Sequence, residues 1–171
     1  MPSNGHHSQE QTMFVQRLSI PDAAPQGYAA LATVEAYVKQ SGLPPLLVDL
    51  MKMRASQING CAFCLDMHGK DARRRGETEQ RLYLLNAWRE SPLYTPAERA
   101  ALAWTEALTL IAETHAPDAD FEELKKHFSD KEIADLTILV GMINLWNRIA
   151  IGMRNQHPVA KPVAAARAGV A

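Results

Sequence analysis

The stretch Gln57-Ile58-Asn59-Gly60-Cys61-Ala62-Phe63-Cys64-Leu65-Asp66-Met67-His68 contains the break between two consecutive predicted helices. Upstream of it, Pro45 suits the first turn of a helix, where no proline N–H is needed, and this helix is expected to run to about residue 58. The dipeptide Asn59-Gly60 ends that helix. The next helix is expected to carry residues 61–75 and to end at Gly76. Both cysteines of the chain therefore lie near the start of a helix.

Helix start signals recur further along the chain. Two are capping boxes, in which a serine or threonine and a glutamate three residues later each accept a hydrogen bond from the other's backbone N–H. They are Thr95-Pro96-Ala97-Glu98 and Ser129-Asp130-Lys131-Glu132. No segment shows the sustained apolar and polar alternation of a half-buried strand. We therefore predict an all-α bundle of about seven helices, near residues 29–40, 45–58, 61–75, 78–90, 95–114, 118–127 and 129–153.

The composition excludes several classes of protein. The 171 residues are 47% hydrophobic and carry a formal net charge of −1, with no basic stripe to bind nucleic acid. We expect no membrane helix, which needs about 20 apolar residues, and the polar N-terminus lacks the apolar core of a signal peptide. Two cysteines are too few for a secreted disulfide scaffold. The expected location is the cytoplasm.

One helical domain is expected at residues 13–155, between two flexible ends. Residues 1–12 are rich in serine, asparagine, glutamine and histidine, and residues 156–171 contain two prolines and a run of small residues. No internal repeat or long linker divides the sequence between them.

The spacing Cys61-x-x-Cys64 followed by His68 is suited to dithiol chemistry. Residues three or four apart share a helix face, so the two cysteines stack and His68 neighbours Cys64. The start of a helix favours a thiolate at Cys61, and His68 can take a proton from Cys64. The lack of strands excludes a thioredoxin, whose cysteine pair follows a β-strand.

Asp49 lies twelve residues before Cys61, in the preceding predicted helix. From there its carboxylate could orient the ring of His68, as the third member of a nucleophile, base and orienter relay. The alternative is an exposed pair with Lys52, which contributes little to stability. A zinc site is a further alternative, with Cys61, Cys64, His68 and Asp49 as ligands, but structural zinc sites generally gather ligands from two separated segments.

These residues resemble the core of the AhpD-like alkylhydroperoxidases, within the carboxymuconolactone decarboxylase superfamily. That family's pattern is a glutamate, eleven intervening residues and then C-x-x-C-x-x-x-H, and Asp49, Cys61, Cys64 and His68 fill its positions in register. The resemblance covers roughly residues 28–154 and includes residues 53–61, 81–91 and 95–102. Asp49 replaces the glutamate with a side chain that is one methylene shorter.

The resemblance implies an AhpD-like helical bundle and a thiol-dependent peroxidase that reduces alkyl hydroperoxides. By similarity Cys64 is the peroxidatic thiol, Cys61 the resolving thiol, His68 the base and Asp49 the orienter. The helix start on its own favours Cys61 as the more exposed thiol. No metal or organic cofactor is required.

The same resemblance also implies a reductant and an assembly. The expected reductant is a lipoyl-domain protein, a thioredoxin-like protein or a small thiol, and the expected assembly is a homo-oligomer, a trimer or hexamer. A general disulfide oxidoreductase and a redox-sensing oligomeric scaffold, each with little peroxidase activity, are the alternatives.

Overall fold

The structure, a computed structural model, describes residues 15–159. Nine α-helices form this part of the chain, with a short 3-10 helix at Leu85–Ala87, and the prediction of an all-α fold is confirmed. The helices are α1 (Ile20–Ala23), α2 (Pro25–Gln40), α3 (Pro45–Asn59), α4 (Ala62–Arg74), α5 (Glu79–Tyr83), α6 (Pro96–Thr109), α7 (Ile111–Thr114), α8 (Asp118–Lys125) and α9 (Asp130–Met153). The predicted flexible segment 1–12 and residues 160–171 of the predicted C-terminal tail lie outside the described residues.

The strongest sequence signals lie where they were predicted. Both capping boxes form, with the Thr95 and Ser129 hydroxyls accepting from the N–H groups of Glu98 and Glu132, whose carboxylates accept in return. Such a cap contributes about 1 kcal/mol to stability. These two boxes therefore fix the starts of the long helices α6 and α9.

The structure has two more helices than predicted because of two local features. The helix α1 was not predicted, and the helix predicted at 95–114 divides at Leu110, whose backbone leaves the helical region (φ −100°, ψ 33°). The Thr114 hydroxyl then donates to the Ala107 carbonyl at 2.6 Å, which satisfies a carbonyl group freed by the division. The predicted helix 78–90 is also shorter, because only α5 and the 3-10 helix form there.

Helix α3 is the centre of the fold, since it packs against α4, α6 and α9. Its residues Leu50, Met51 and Ala55 are fully buried. Two apolar clusters share α3, one mainly between α3, α6 and α9 and the other between α3, α6 and the segment 82–94. The α3–α4 junction, which carries the cysteines, is thereby held on a rigid base.

Helix α9 corrects the expectation that no stretch is long and apolar enough to cross a membrane. Its 24 residues meet that criterion by length and composition. In the structure, however, α9 packs against α2, α3, α4 and α6, and its residues Leu136, Leu139 and Ile143 are fully buried. It is a core helix, and its apolar character reflects burial in protein.

Candidate active site

The turn between α3 and α4 positions Cys61. Gly60 adopts a left-handed conformation (φ 68°, ψ 33°), which glycine reaches without steric cost. The Cys61 N–H then donates to the Ser56 carbonyl at 3.0 Å, and Cys61 becomes the N-cap of α4. Its sulfur accepts a hydrogen bond from the Cys64 N–H at 3.4 Å. The sequence prediction of a helix break at Asn59-Gly60 therefore gives the cysteine its position at the helix start.

The two sulfurs lie 2.7 Å apart as free thiols. A disulfide bond is about 2.05 Å long, so a small side-chain movement closes it without rearrangement of the helix. Both cysteines are only 1% exposed and pack with Ala150 of α9 and with Phe63. The geometry is that of a dithiol that can be oxidised and reduced in place.

The pair holds its negative charge on Cys61. The hydrogen bond from the Cys64 thiol is the main cause that lowers the pKa of Cys61 to about 7, helped by the N–H groups of Cys64 and Phe63 and by the Asn147 side chain, against the effect of burial. The same hydrogen bond and burial raise the pKa of Cys64 far above its usual value. Near neutral pH the shared proton therefore lies on Cys64.

His68 lies one turn beyond Cys64 on α4 and is buried. Burial and then the charge of Lys52 lower the pKa of His68 to about 4, so the ring is neutral at pH 7. Within residues 15–159, no hydrogen bond joins His68 to either sulfur, although His68 and Cys64 line the same cavity. The ring can accept a proton only after a small movement brings it within hydrogen-bonding distance of the dithiol.

The Asp49 carboxylate is bound by Arg75 at the end of α4. Arg75 Nη1 donates to Asp49 Oδ1 at 2.8 Å and to Oδ2 at 2.6 Å. Burial still raises the pKa of Asp49 above its usual value, because it outweighs the stabilising effect of Arg75. Asp49 makes no hydrogen bond to His68 among the described residues, so the orienter role stays a prediction. Nothing in the sequence indicated Arg75 as its partner.

A second buried ion pair faces the same space. Lys52 pairs with Glu35 of α2, whose other oxygen accepts from the Trp146 indole N–H at 3.2 Å. Burial alone would raise the pKa of Glu35, but the hydrogen bond and charge of Lys52 lower it. The suggested exposed pairing of Asp49 with Lys52 is wrong, since both side chains are buried and each has another partner.

These groups surround a cavity of about 770 Å³. Cys64 lines it and Cys61 does not, so of the two cysteines Cys64 is the one that faces the cavity. Its polar wall includes Glu35, Asp49, Lys52, His68, Asp71 and Arg75, and its apolar wall includes Tyr28, Val38, Leu43, Val48, Met67 and Trp146. The described part of the chain has no group of three or more acidic, histidine or cysteine side chains arranged to hold a metal ion.

A chain of amides joins the end of α3 to α9. Asn59 donates to Asn147 at 2.8 Å and to Asn144 at 3.0 Å, and Asn147 donates to the Ser56 hydroxyl at 3.0 Å. From the sequence, Asn144 and Asn147 were visible only as polar residues that interrupt an apolar helix. Their place beside the dithiol becomes visible only in the packed structure.

Known proteins have similar sequences and similar folds. Residues 23–107 match the carboxymuconolactone decarboxylase family. The uncharacterized protein YdfG of Bacillus subtilis is 45% identical over 141 residues, which cover 82% of this chain and 96% of YdfG.

Two solved structures are similar as well. ATU0492 of Agrobacterium tumefaciens, a protein of unknown function provisionally described as the antioxidant defence protein AhpD, superposes with a TM-score of 0.83 at 52% identity, over 85% of this chain and 100% of that one. An alkylhydroperoxidase AhpD core from Ralstonia eutropha, an uncharacterized peroxidase-related protein, shares the fold with a TM-score of 0.69 at 22% identity, over 85% of this chain and 80% of that one. The predicted AhpD-like fold is thus confirmed, and the chain belongs to the carboxymuconolactone decarboxylase family.

Proposed function

We propose that the protein is a thiol-dependent peroxidase that reduces alkyl hydroperoxides through a Cys61–Cys64 dithiol and disulfide cycle in the cytoplasm. One observation carries the proposal: the Cys64 sulfur lies 2.7 Å from the Cys61 sulfur and also lines the 770 Å³ cavity. The descriptions of ATU0492 and of the Ralstonia protein agree with this chemistry.

The oxidative half-reaction begins when the Cys64 proton passes to the Cys61 sulfur. The Cys64 thiolate attacks the outer oxygen of the hydroperoxide, the O–O bond breaks, and Cys64 becomes a sulfenic acid. The Cys61 sulfur then attacks Cys64, and the hydroxide leaves as water with the proton from Cys61. The dithiol loses two electrons, which reduce the peroxide.

The alcohol product needs one further proton, because the singly deprotonated dithiol supplies only one of the two that are consumed. His68 is suited to pass a proton from solvent to the leaving alkoxide, since it is neutral at pH 7 and lines the cavity. Asp49 is held by Arg75 in the same wall of the cavity. Its carboxylate is proposed to orient the His68 ring.

The reductive half-reaction requires an external dithiol. Its thiolate attacks the disulfide to form a mixed disulfide, and its second thiol displaces the protein and leaves as a disulfide. A lipoyl-domain protein or a thioredoxin-like protein can supply this chemistry, and with a small thiol a second molecule makes the second attack.

The direct test is consumption of cumene hydroperoxide with dihydrolipoamide as the electron source. Turnover is expected for the wild type and none for a Cys61→Ser, Cys64→Ser double variant. Equal rates for the two proteins would exclude the dithiol as the source of activity.

The order of the two cysteines needs its own test, in which sulfenic acid is trapped after peroxide in each single serine variant. The label is expected in Cys61→Ser, which keeps the sulfur at the cavity. A label in Cys64→Ser alone would reverse the assignment.

A general dithiol oxidoreductase is the second candidate, favoured by the thiolate on Cys61 rather than on the cavity-facing Cys64. Faster thiol loss with a small disulfide than with peroxide would support it. A homo-oligomer, a trimer or hexamer, is proposed from the exposed apolar residues Ile138 and Ile151 of the core helix α9. Size-exclusion profiles of reduced and oxidised protein measure the assembly and show whether it depends on the disulfide.

A further inference from the structure

The cavity-lining residues of α4 form a row along one face of the helix. Cys64, His68, Asp71 and the C-cap residue Arg75 all line the cavity, at spacings of four, three and four residues. Each residue advances an α-helix by 1.5 Å, so the row extends about 16 Å from Cys64 to Arg75. The cavity is therefore elongated along α4, with the sulfur and the guanidinium group at well-separated positions.

Helix α3 follows the same row in the opposite direction. Near the turn, the Ser56 carbonyl accepts from the Cys61 N–H at 3.0 Å, and at the other end Asp49 contacts Arg75 at 2.6 Å. Lys52 lies on α3 between these two contacts and also lines the cavity. The middle of the cavity therefore lies at Lys52, and its far end, away from the cysteines, lies at Asp49.

Helix α2 adds a second cation at the far end. Its Glu35 pairs with Lys52 and so lies at the middle of the cavity. Lys39 follows Glu35 by one helical turn, is exposed and lines the cavity. Only residues 41–44 separate α2 from α3, so the two helices are antiparallel and Lys39 lies toward the end where Asp49 contacts Arg75.

Cationic donors are left over at this end of the cavity. Arg75 uses only Nη1 to bind Asp49, and its Nε and Nη2 groups make no hydrogen bond within residues 15–159. Lys39 likewise has no hydrogen bond or ion pair in that range. The remaining carboxylate there, Asp71, already pairs with Arg74. Because each carboxylate has a partner and the donors do not, the missing group is an anion.

Apolar side chains connect the two ends. Phe63 and Met67 line the cavity near Cys64 and His68, and Val38, Leu43 and Val48 line it near Lys39. The volume of about 770 Å³ is in the range of cavities that enclose whole organic ligands. An extended apolar chain can therefore lie between the sulfur and the two cations.

We propose that the substrate is the hydroperoxide of a long-chain carboxylic acid, with its carboxylate at Arg75 and Lys39 and its hydroperoxide at Cys64. An extended chain advances about 1.2 Å per bond, so roughly a dozen bonds separate the two groups. His68, one turn from Cys64 on the same row, then lies on the side of the leaving oxygen. This inference rests on the proposed function, since it names the substrate class of the same cavity.

The test uses ω-bromo carboxylic acids of increasing length as rulers on the folded, reduced protein. Once the Cys64 proton has passed to Cys61, the Cys64 sulfur displaces bromide and forms a thioether, and mass spectrometry identifies the labelled cysteine. At subsaturating reagent, labelling of Cys64 is expected to be at least about tenfold faster with bromododecanoate than with bromohexanoate. A rate that does not depend on chain length, or a label on Cys61 alone, would overturn the proposal.

Bromododecanol separates the role of the carboxylate from that of the apolar chain. It is expected to label Cys64 about fivefold more slowly than the acid, because it lacks the charge that Arg75 and Lys39 bind. Lys39→Met should slow the acid by about fivefold and leave the alcohol unchanged. Equal rates for the acid and the alcohol in the wild type would contradict a carboxylate site.

Lys70→Met is the matched control, because Lys70 is an exposed lysine of α4 that pairs with Asp66 at 2.7 Å and does not line the cavity. It should leave the labelling rates of both reagents unchanged, and a slowing equal to that of Lys39→Met would overturn the proposal. No peroxide is present in these experiments. A protein that reduces cumene hydroperoxide but shows no dependence on chain length or carboxylate would disprove this inference alone.

Discussion

Replacing Arg75 by leucine is expected to destabilise the protein, because it leaves the buried Asp49 carboxylate without its cationic partner. The Asp49 side chain is 5% exposed and that of Arg75 is 45% exposed, with two contacts between them at 2.6 and 2.8 Å. Loss of one partner of a fully buried pair costs about 3–5 kcal/mol, and the exposure of Arg75 reduces this value. We expect a loss of about 2 kcal/mol at pH 7, or about 6 °C in Tm for a chain of this length.

The loss of stability in Arg75→Leu is expected to depend on pH. Burial raises the pKa of Asp49 in the folded protein, so the folded state binds this proton more tightly and stability falls as the pH rises from 3.8 through the folded-state pKa. Without Arg75 the Asp49 carboxylate loses its stabilising partner. The decrease in stability with rising pH then becomes larger and extends to higher pH. The stability lost in Arg75→Leu is therefore expected to shrink as the pH falls and Asp49 takes up its proton.

Arg74→Leu is the matched control, measured by urea denaturation beside Arg75→Leu. Arg74 is the preceding residue, its side chain is 72% exposed, and it pairs with Asp71 at the surface. Its loss should change stability by no more than about 0.5 kcal/mol. Adding Asp49→Asn to Arg75→Leu should restore much of the stability that Arg75→Leu loses. Equal losses of stability in the two arginine variants, or a loss in Arg75→Leu that does not change with pH, would show that an unpaired Asp49 carboxylate is not the cause.

Three further predictions concern the dithiol and its surroundings. His68→Gln should slow peroxide reduction by about 100-fold while leaving the alkylation rate of the thiols unchanged, as measured by single-turnover kinetics. The double variant Lys52→Met, Glu35→Gln should raise the pKa of His68 above its value of about 4, in ring NMR titrations, because the Lys52 charge is removed. The reduced protein should gain stability between pH 7 and 9, because the folded pKa of Cys61 lies below its ordinary value of 9.0, and Cys61→Ser should lack this gain in urea denaturation.

Local signals in the sequence predicted most of the helices. Proline at the first turn of α3, the left-handed Gly60 and the two capping boxes act through neighbouring residues, so they can be read without the tertiary structure. The division of the predicted helix at Leu110 could not be read in this way. It depends on how α6 and α7 lie against the rest of the molecule, and no proline or glycine marks it.

The arrangement of site residues within one helix was predicted from the sequence, but the contacts between helices were not. The spacing of Cys61, Cys64 and His68 on one helix needed only the helical period. The pairing of Asp49 with Arg75, and the place of Asn147 beside the sulfurs, depend on how α3, α4 and α9 pack. In the sequence, Arg75 is one of three consecutive arginines and has no feature that separates it from the exposed Arg74.

The two sulfurs are expected to act together at the wall of the cavity, and oxidation by a single equivalent of peroxide shows whether they do. Reduced protein is mixed with one equivalent of cumene hydroperoxide, and thiols, alcohol product and intact mass are followed together. We predict that both thiols disappear at the same rate, that one alcohol forms per protein and that the mass falls by two hydrogens. Thiols that survive the peroxide, or a gain of oxygen without an intramolecular disulfide, would show that the two sulfurs do not act as a pair.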